Sequence, residues 1–215
     1  MDVSRVFEQY LDEEEREIFA GLTTPASIQV FLDSIPYSAE ARNRCPQSVL
    51  RDRQAHCLDG GLFAAAALRR LGYPPLLVDL LPEPGTDDDH VLAIFQKYGR
   101  FGAVAKSNFT GLRFREPVYR SLRELVMSYF EDFFNVDGLK TLRYYTVPLN
   151  LESYDELSWM WSDVHLHKIE QHLAGLRRFS LLTGPMAVDL TPVDKLSYQA
   201  GTLGVNEAGL FRPKK

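Results

Sequence analysis

The sequence predicts an α+β fold: a helical N-terminal layer packed on a small antiparallel sheet, then a helical C-terminal extension. Three observations predict it. Between residues 4 and 71 apolar residues recur at helical spacing. The texture then changes to short apolar runs, LLVDLL (76–81), HVLAIF (90–95) and FGAVAKS (101–107), the last two joined by too few residues for a parallel crossover. Beyond about residue 152 it returns to helical spacing in SYDELSWMWSDVHLHKIEQHLAGLRRF. Helices segregated from an antiparallel sheet make an α+β protein.

Taken in order, residues 4–20 carry Val6, Phe7, Tyr10, Leu11, Ile18 and Phe19 on one face, as a helix with a buried stripe requires. Thr24 is an N-cap and Pro25 a first helical residue for a second helix that stops before Ile35-Pro36. A third helix runs from Cys57 to about residue 71, ended by Gly72 with Pro74 behind it. LLVDLL is a buried strand, and HVLAIF and FGAVAKS are a hairpin turning near Tyr98-Gly99. Ser121 and Glu124 form a capping box for a helix reaching about Asn135, and TLRYYTVPLNL (141–151) is a further strand. Residues 1–151 read as the core domain and 152–215 as a helical extension packed on it, the last 35 or so loosely ordered.

With 215 residues, 45% of them hydrophobic and 25% charged, the chain can bury an ordinary core. A net charge of -5 excludes a general nucleic-acid surface; the arginines of LRFREPVYRSLRE (112–124) alternate with apolar residues and glutamates and read as a solvated, ion-paired face. No apolar run is long enough to cross a bilayer, and the acidic start MDVSRVFEQYLDEEEREIF does not read as a signal peptide, so a cytoplasmic protein is expected. Two cysteines cannot make a disulfide framework, although a single Cys45–Cys57 bridge is compatible with the sequence.

The stretch RDRQAHCLDGGLFAAAALRRLGYPP (51–75) carries the chemistry. Cys57 falls in the first turn of its helix, where unpaired N–H groups and the positive end of the dipole lower a thiol pKa toward the reactive thiolate. Gly60 and Gly61 follow on that turn; two glycines inside a helix cost stability and call for a packing or access reason. A cysteine nucleophile needs a base, usually an imidazole held by a third polar group. His56 adjoins Cys57 and points about 100° away on a helix, while His165, His167 and His172 belong to the C-terminal helix. His90, at the start of a strand, remains. Around a turn at Tyr98-Gly99 the position opposite His90 is near residue 107, which brings in Ser107 and Asn108.

The run Cys57-Leu58-Asp59-Gly60-Gly61 opening a helix, then His90 on a strand, then a second strand, resembles the transglutaminase-like members of the papain-like cysteine fold. The segments AHCLDGGLFAAAALRRLGYPPLLVDL, DHVLAIFQ and FGAVAKSNFTGLRFREPVYRSLRELVMSYF are similar to a bacterial branch of it, over roughly residues 24–150. The resemblance implies Cys57 as nucleophile, His90 as base and no cofactor, with a peptide or small amide as substrate and acyl transfer or hydrolysis through a thioester as reaction. The usual aspartate near 105–108 is absent; the chain reads Ala105, Lys106, Ser107, Asn108, and Asn108 would take its place. Gln54 and the N–H of Cys57 are the candidates for an oxyanion hole, with Ser107 in support.

Plainer readings stand beside these. A lone helix cysteine is often core. Weakened or inactive, the same fold would serve as a binding or scaffold module, and a related core transfers acetyl groups from coenzyme A. Asp87, Asp88 and Asp89 lack the spaced ligands and glycine of a calcium loop and read as solvated. HLHKIEQH (165–172) lacks the i, i+4 histidine pair of a helical zinc site, so no metal is expected. Trp159, Met160 and Trp161 read as core, or as a lid over the groove.

Overall fold

A computed structural model describes residues 3–213. The first apolar stripe forms two helices, α1 (Val3–Glu8) and α2 (Glu13–Gly21), where one is expected from the sequence. Asp12 divides them: its side chain accepts from Glu15 N while the Glu15 carboxylate accepts from Asp12 N, a capping box that starts a new helix. Then α3 (Pro25–Ser34) begins at its Thr24 cap, and α4 (Pro46–Asp52) is capped by Cys45. α5 (Cys57–Arg70) is the central helix, buried along almost its whole length and followed by Gly72 at φ +88°.

The sheet is antiparallel, with β1 (Leu76–Pro82), β2 (His90–Lys97), β3 (Arg100–Val104), β4 (Arg115–Tyr119), β5 (Leu142–Thr146), β6 (Leu149–Asn150) and β7 (Arg178–Ser180). Strand order is β4-β3-β2-β1-β5-β7, with β6 also on β1. The β2–β3 turn has Tyr98 at φ +53° and Gly99 at φ +69°, the double left-handed geometry that matches strand twist. Ala93 pairs with Val104 and Phe95 with Gly102, so Ser107 would continue the register opposite His90. The arginine-rich stretch read as a solvated face supplies edge strand β4.

One sheet face packs under α5, burying Leu77, Val91, Ala93, Phe95 and Val104 with α3 and α7 (Leu166–Gly175). The other buries Val78, Leu80, Leu92 and Ile94 against α6 (Leu122–Met127) and the aromatics that follow it. α6 is shorter than the predicted helix to Asn135; Ser121 caps it, but Glu124 turns to Arg120 N, and a single 3-10 turn follows at Phe130–Asp132. Trp159 and Met160 are core residues, and Trp161 stacks on Tyr10, far from any groove role.

The last residues are ordered as α8 (Gly184–Val188), α9 (Lys195–Gly201) and a 3-10 turn at Glu207–Gly209. No residue from Leu182 to Pro213 is buried. No helix among the described residues is long and apolar enough to cross a membrane.

Candidate active site

Cys57 opens α5 with 8% of its surface exposed. The two glycines answer a packing need. A Cβ on Gly60 would stand 2.2 Å from Lys106 Cβ, and one on Gly61 would stand 2.8 Å from Val91 Cγ1. Only glycine lets the first turn of α5 lie this close to β2 and to the chain leaving β3. Lys106 then reaches under α3, donating to Leu32 O at 2.7 Å and Ile35 O at 2.5 Å. Its burial lowers the amine pKa to about 8.

The loop before α5 is held by Arg44, 1% exposed. Its guanidinium bonds Asp52 at 3.0 Å and also Glu40, and its backbone N donates to Asp59 at 2.6 Å. Asp59 in turn accepts from His56 N at 3.2 Å, fixing the helix start. Burial holds the Asp59 carboxyl up at about 7.

Beside the thiol lies a cavity of about 500 Å³. Five carboxylates line it: Glu40, Asp79, Asp88, Asp89 and Glu170. None of its lining residues is Lys or Arg, and His56 is held neutral by burial. Glu40 is neutralised by Arg44, whereas Asp79 is fully buried and neither of its oxygens has a donor when both it and Asp89 are ionised. Asp79 and Asp89 face each other as a carboxyl pair placed to share one proton; burial raises both pKa values, and neighbouring carboxylates raise them further. The same burial pushes the Cys57 thiol well above its ordinary value, with Asp89, Asp88 and Asp79 adding to it. Burial, with the charges of the cavity behind it, therefore overrides the helix end.

The sequence-nominated residues are not brought together. Val91, Ala93 and Phe95 face α5, so His90, Leu92 and Ile94 point through the opposite face of β2. His90 is 4% exposed, its Nε2 lies 2.7 Å from Leu112 O, and its ring meets Tyr129. Burial lowers its pKa to about 4, so the ring is neutral and donates to that carbonyl. The Cys57 thiol instead approaches the Asp89 carbonyl at 3.9 Å and faces the Tyr37 hydroxyl. Asn108 is spent on the C-terminal segment: Nδ2 donates to Asn206 O at 2.9 Å and Oδ1 accepts from Asn206 N at 2.8 Å. Ser107 accepts from Phe109 N at 3.0 Å in a local turn, and Gln54 reaches Glu40 at 3.5 Å outside the cavity lining.

Both cysteines are free, and burial raises Cys45 to about 12. Asp87 is half-buried and accepts from Thr141 Oγ1 at 2.8 Å, while Asp88 and Asp89 are exposed, as a solvated loop requires, and line the cavity from its open side. Sequence reasoning passed over Asp79, Tyr37 and Glu170. The one available signal was Asp79 itself, a lone acid inside the apolar run LLVDLL. Among the described residues no three His, Cys, Asp or Glu side chains converge as metal ligands.

The chain is similar to a solved structure, Legionella pneumophila LapG (EGTA-treated), at 9% identity and a TM-score of 0.41. The match covers 74% of this chain and 94% of that one. No residue role is carried over at that level of likeness. No family model and no curated protein matches the chain. The chain's own architecture is α+β, with a helix-borne cysteine ahead of a strand-borne histidine on an antiparallel sheet. That is the element order expected from the transglutaminase-like resemblance.

Proposed function

We propose that this chain is a transglutaminase-like cysteine enzyme acting on an amide or peptide whose cationic group enters the Cys57 cavity. The observation that carries the reading is Cys57 at the first turn of α5, on the wall of a cavity lined by carboxylates without a lysine or arginine. A spread of acids around about 500 Å³ suits an ammonium or guanidinium group on an aliphatic stem better than a bare metal ion. Leu58, Val91 and Leu173 supply the apolar wall for such a stem.

The cation also decides whether the thiol can react. Without it burial, helped by the acids, keeps Cys57 protonated. A unit positive charge at ~5 Å and an effective dielectric of ~20 is worth about 3 kcal/mol, or roughly two pKa units in favour of thiolate. Substrate binding and activation are thus one event. Entry of the cation drives the shared proton off the Asp79–Asp89 pair, and the ionised pair then takes the thiol proton. Sγ adds to the amide carbonyl, the oxyanion points at the N–H groups opening α5, and the leaving amine departs with the proton. Water or an amine then attacks the thioester and restores the thiol.

A second reading, a binding module with an inert thiol, is favoured by one observation: His90 lies on the far side of the sheet. One titration separates the two. NMR of 13Cβ-labelled cysteine, with buried Cys45 as internal control, reads the Cys57 pKa with and without 1,4-diaminobutane at matched ionic strength. A fall of about two units in the diamine supports the enzyme reading. An unmoved Cys57, or amide turnover that survives Cys57→Ala, sinks it.

A further inference from the structure

The C-terminal segment approaches the site as a peptide ligand would. Residues 208–211 line the Cys57 cavity, and Gly209 and Phe211 also line the small cavity beside His90 and Asn108. The contact at its head is a backbone fork. The Asn108 side-chain amide accepts from the N–H and donates to the C=O of one residue, Asn206, as a strand neighbour would. The Asn206 side chain then donates to Tyr37 O at 2.9 Å, on the residue whose hydroxyl faces the thiol. Gly209 lies against the Tyr37 ring, where a Cβ would stand 3.0 Å from Cδ1. This is recognition of the main chain of one residue, Asn206, at the head of the 3-10 turn Glu207–Gly209, with the Leu210-Phe211 pair delivered to the cavity.

The segment is also detachable. It buries no residue, and its upstream anchors are hydrogen bonds from Thr110 to Gly201 O and Ala200 O, from Tyr198 to Val136 O and from Val193 N to Gly138 O, together with the Phe134 ring against Tyr198. Leu182 and Leu190 still pack on the core, whereas residues 206–211 contribute no side chain to it.

We infer that the surface formed by Tyr37, Asn108 and the mouth of the Cys57 cavity is a peptide-binding groove, and that residues 206–211 occupy it in cis, in competition with a peptide partner. The partner is a segment that makes the same short turn, with an amide side chain at its first position and a large apolar residue about five positions on. The inference deepens the proposed function by naming a peptide as the substrate class, yet peptide binding is read separately from thiol chemistry. An inert Cys57 would leave it standing.

The test uses full-length protein and a fluorescein-labelled synthetic peptide of residues 204–213, GVNEAGLFRP, followed by anisotropy, with unlabelled peptide titrated to millimolar concentration in NMR. Asn206→Ala in the protein weakens the cis occupant and leaves the groove intact. The expected result is tighter peptide binding to the Asn206→Ala protein than to wild type by about fivefold, the factor one lost hydrogen bond carries. A peptide with the same Asn→Ala change should bind either protein about fivefold more weakly than its parent. Gly209→Val, which presses on Tyr37, should mimic Asn206→Ala. Equal affinity for wild type and Asn206→Ala overturns the inference, as does an absence of shifts at Tyr37 and Asn108 with millimolar peptide.

Discussion

Replacing Gly60 by alanine sets two physical effects against each other, and the structure says which wins. In an exposed helix the change gains up to about 1 kcal/mol, because glycine pays the larger backbone entropy. Here the new Cβ would stand 2.2 Å from Lys106 Cβ, 3.2 Å from its Cγ and 3.3 Å from its Cα. Carbon atoms in contact settle at about 3.5–4.0 Å, so α5 and the chain leaving β3 must part by about 1.5 Å. The neighbour is a backbone-proximal atom of a buried residue, and its far end is pinned to the Leu32 and Ile35 carbonyls. Overpacking of this kind costs about 1–3 kcal/mol, and straining the two lysine bonds adds about 1 kcal/mol. The net expectation is a loss of about 2 kcal/mol. Urea unfolding reads it as a midpoint lowered by roughly 1 M at unchanged slope. Gly21→Ala is the control, since nothing lies within 4 Å of a Cβ built there, and it should be neutral or slightly stabilising. If Gly60→Ala matches that control, the close approach that sets the Cys57 helix against the sheet is not real.

Two further expectations concern pH. His90 has its folded pKa depressed to about 4 against an ordinary 6.5. Its contribution is therefore present above pH 6.5 and lost as pH falls toward 4, about 3 kcal/mol over that window; His90→Gln should flatten the acid limb of stability between those values. Asp79 has the opposite sign: its raised pKa makes the native state hold a proton the unfolded chain has released, so stability falls as pH rises. Asp79→Asn should raise Tm by a few degrees at pH 8, about 1 kcal/mol being ~3 °C for a chain of this size, with the gain fading at lower pH. It should also lower the Cys57 pKa, because Asp79 is one of the three charges that raise it. A lower Tm at pH 8 would show that Asp79 is satisfied in a way its unpaired oxygens do not reveal.

Local steric signals were legible in the sequence. Thr24-Pro25 starts α3 and Cys57 starts α5, because caps and prolines act over one turn. Tyr98-Gly99 forces the tight turn, and with it the register that pairs Ala93 with Val104 and, continued, would carry Ser107 opposite His90. What could not be read is the parity of β2. HVLAIF is buried on both faces, so alternation offers no sign of which set meets α5. The answer lies in a contact between Gly61 and Val91, thirty residues apart in the chain, and a shift of one residue exchanges the faces. β4 and β7 escaped notice because edge strands this short carry no apolar run. The cavity acids come from a loop, β1, the β1–β2 connection and α7, a set no sequence window contains. The docking of residues 206–211 leaves no periodic trace either, since it uses the backbone of one residue and the side chain of another.

The cavity couples three equilibria that are easily mistaken for separate properties: protonation of the Asp79–Asp89 pair, ionisation of Cys57 and entry of a cation. Because the first two are set by the same carboxylates, a cation that enters must shift both, and linkage makes the effect reciprocal. An ammonium beside a carboxyl pair that shares a proton favours the doubly ionised form, so binding releases a proton. Calorimetry of 1,4-diaminobutane binding in two buffers of different ionisation enthalpy measures that release directly. Between pH 6 and 8 up to about one proton per site should leave, and affinity should tighten as pH rises through the range where the pair titrates. Asp79→Asn should abolish most of the release. Binding without proton release, equally tight at both ends of the range, would mean that the pair is fully ionised in the native state. Both carboxylate charges would then bear on the thiol with or without the cation, and the three equilibria would not be coupled through a shared proton.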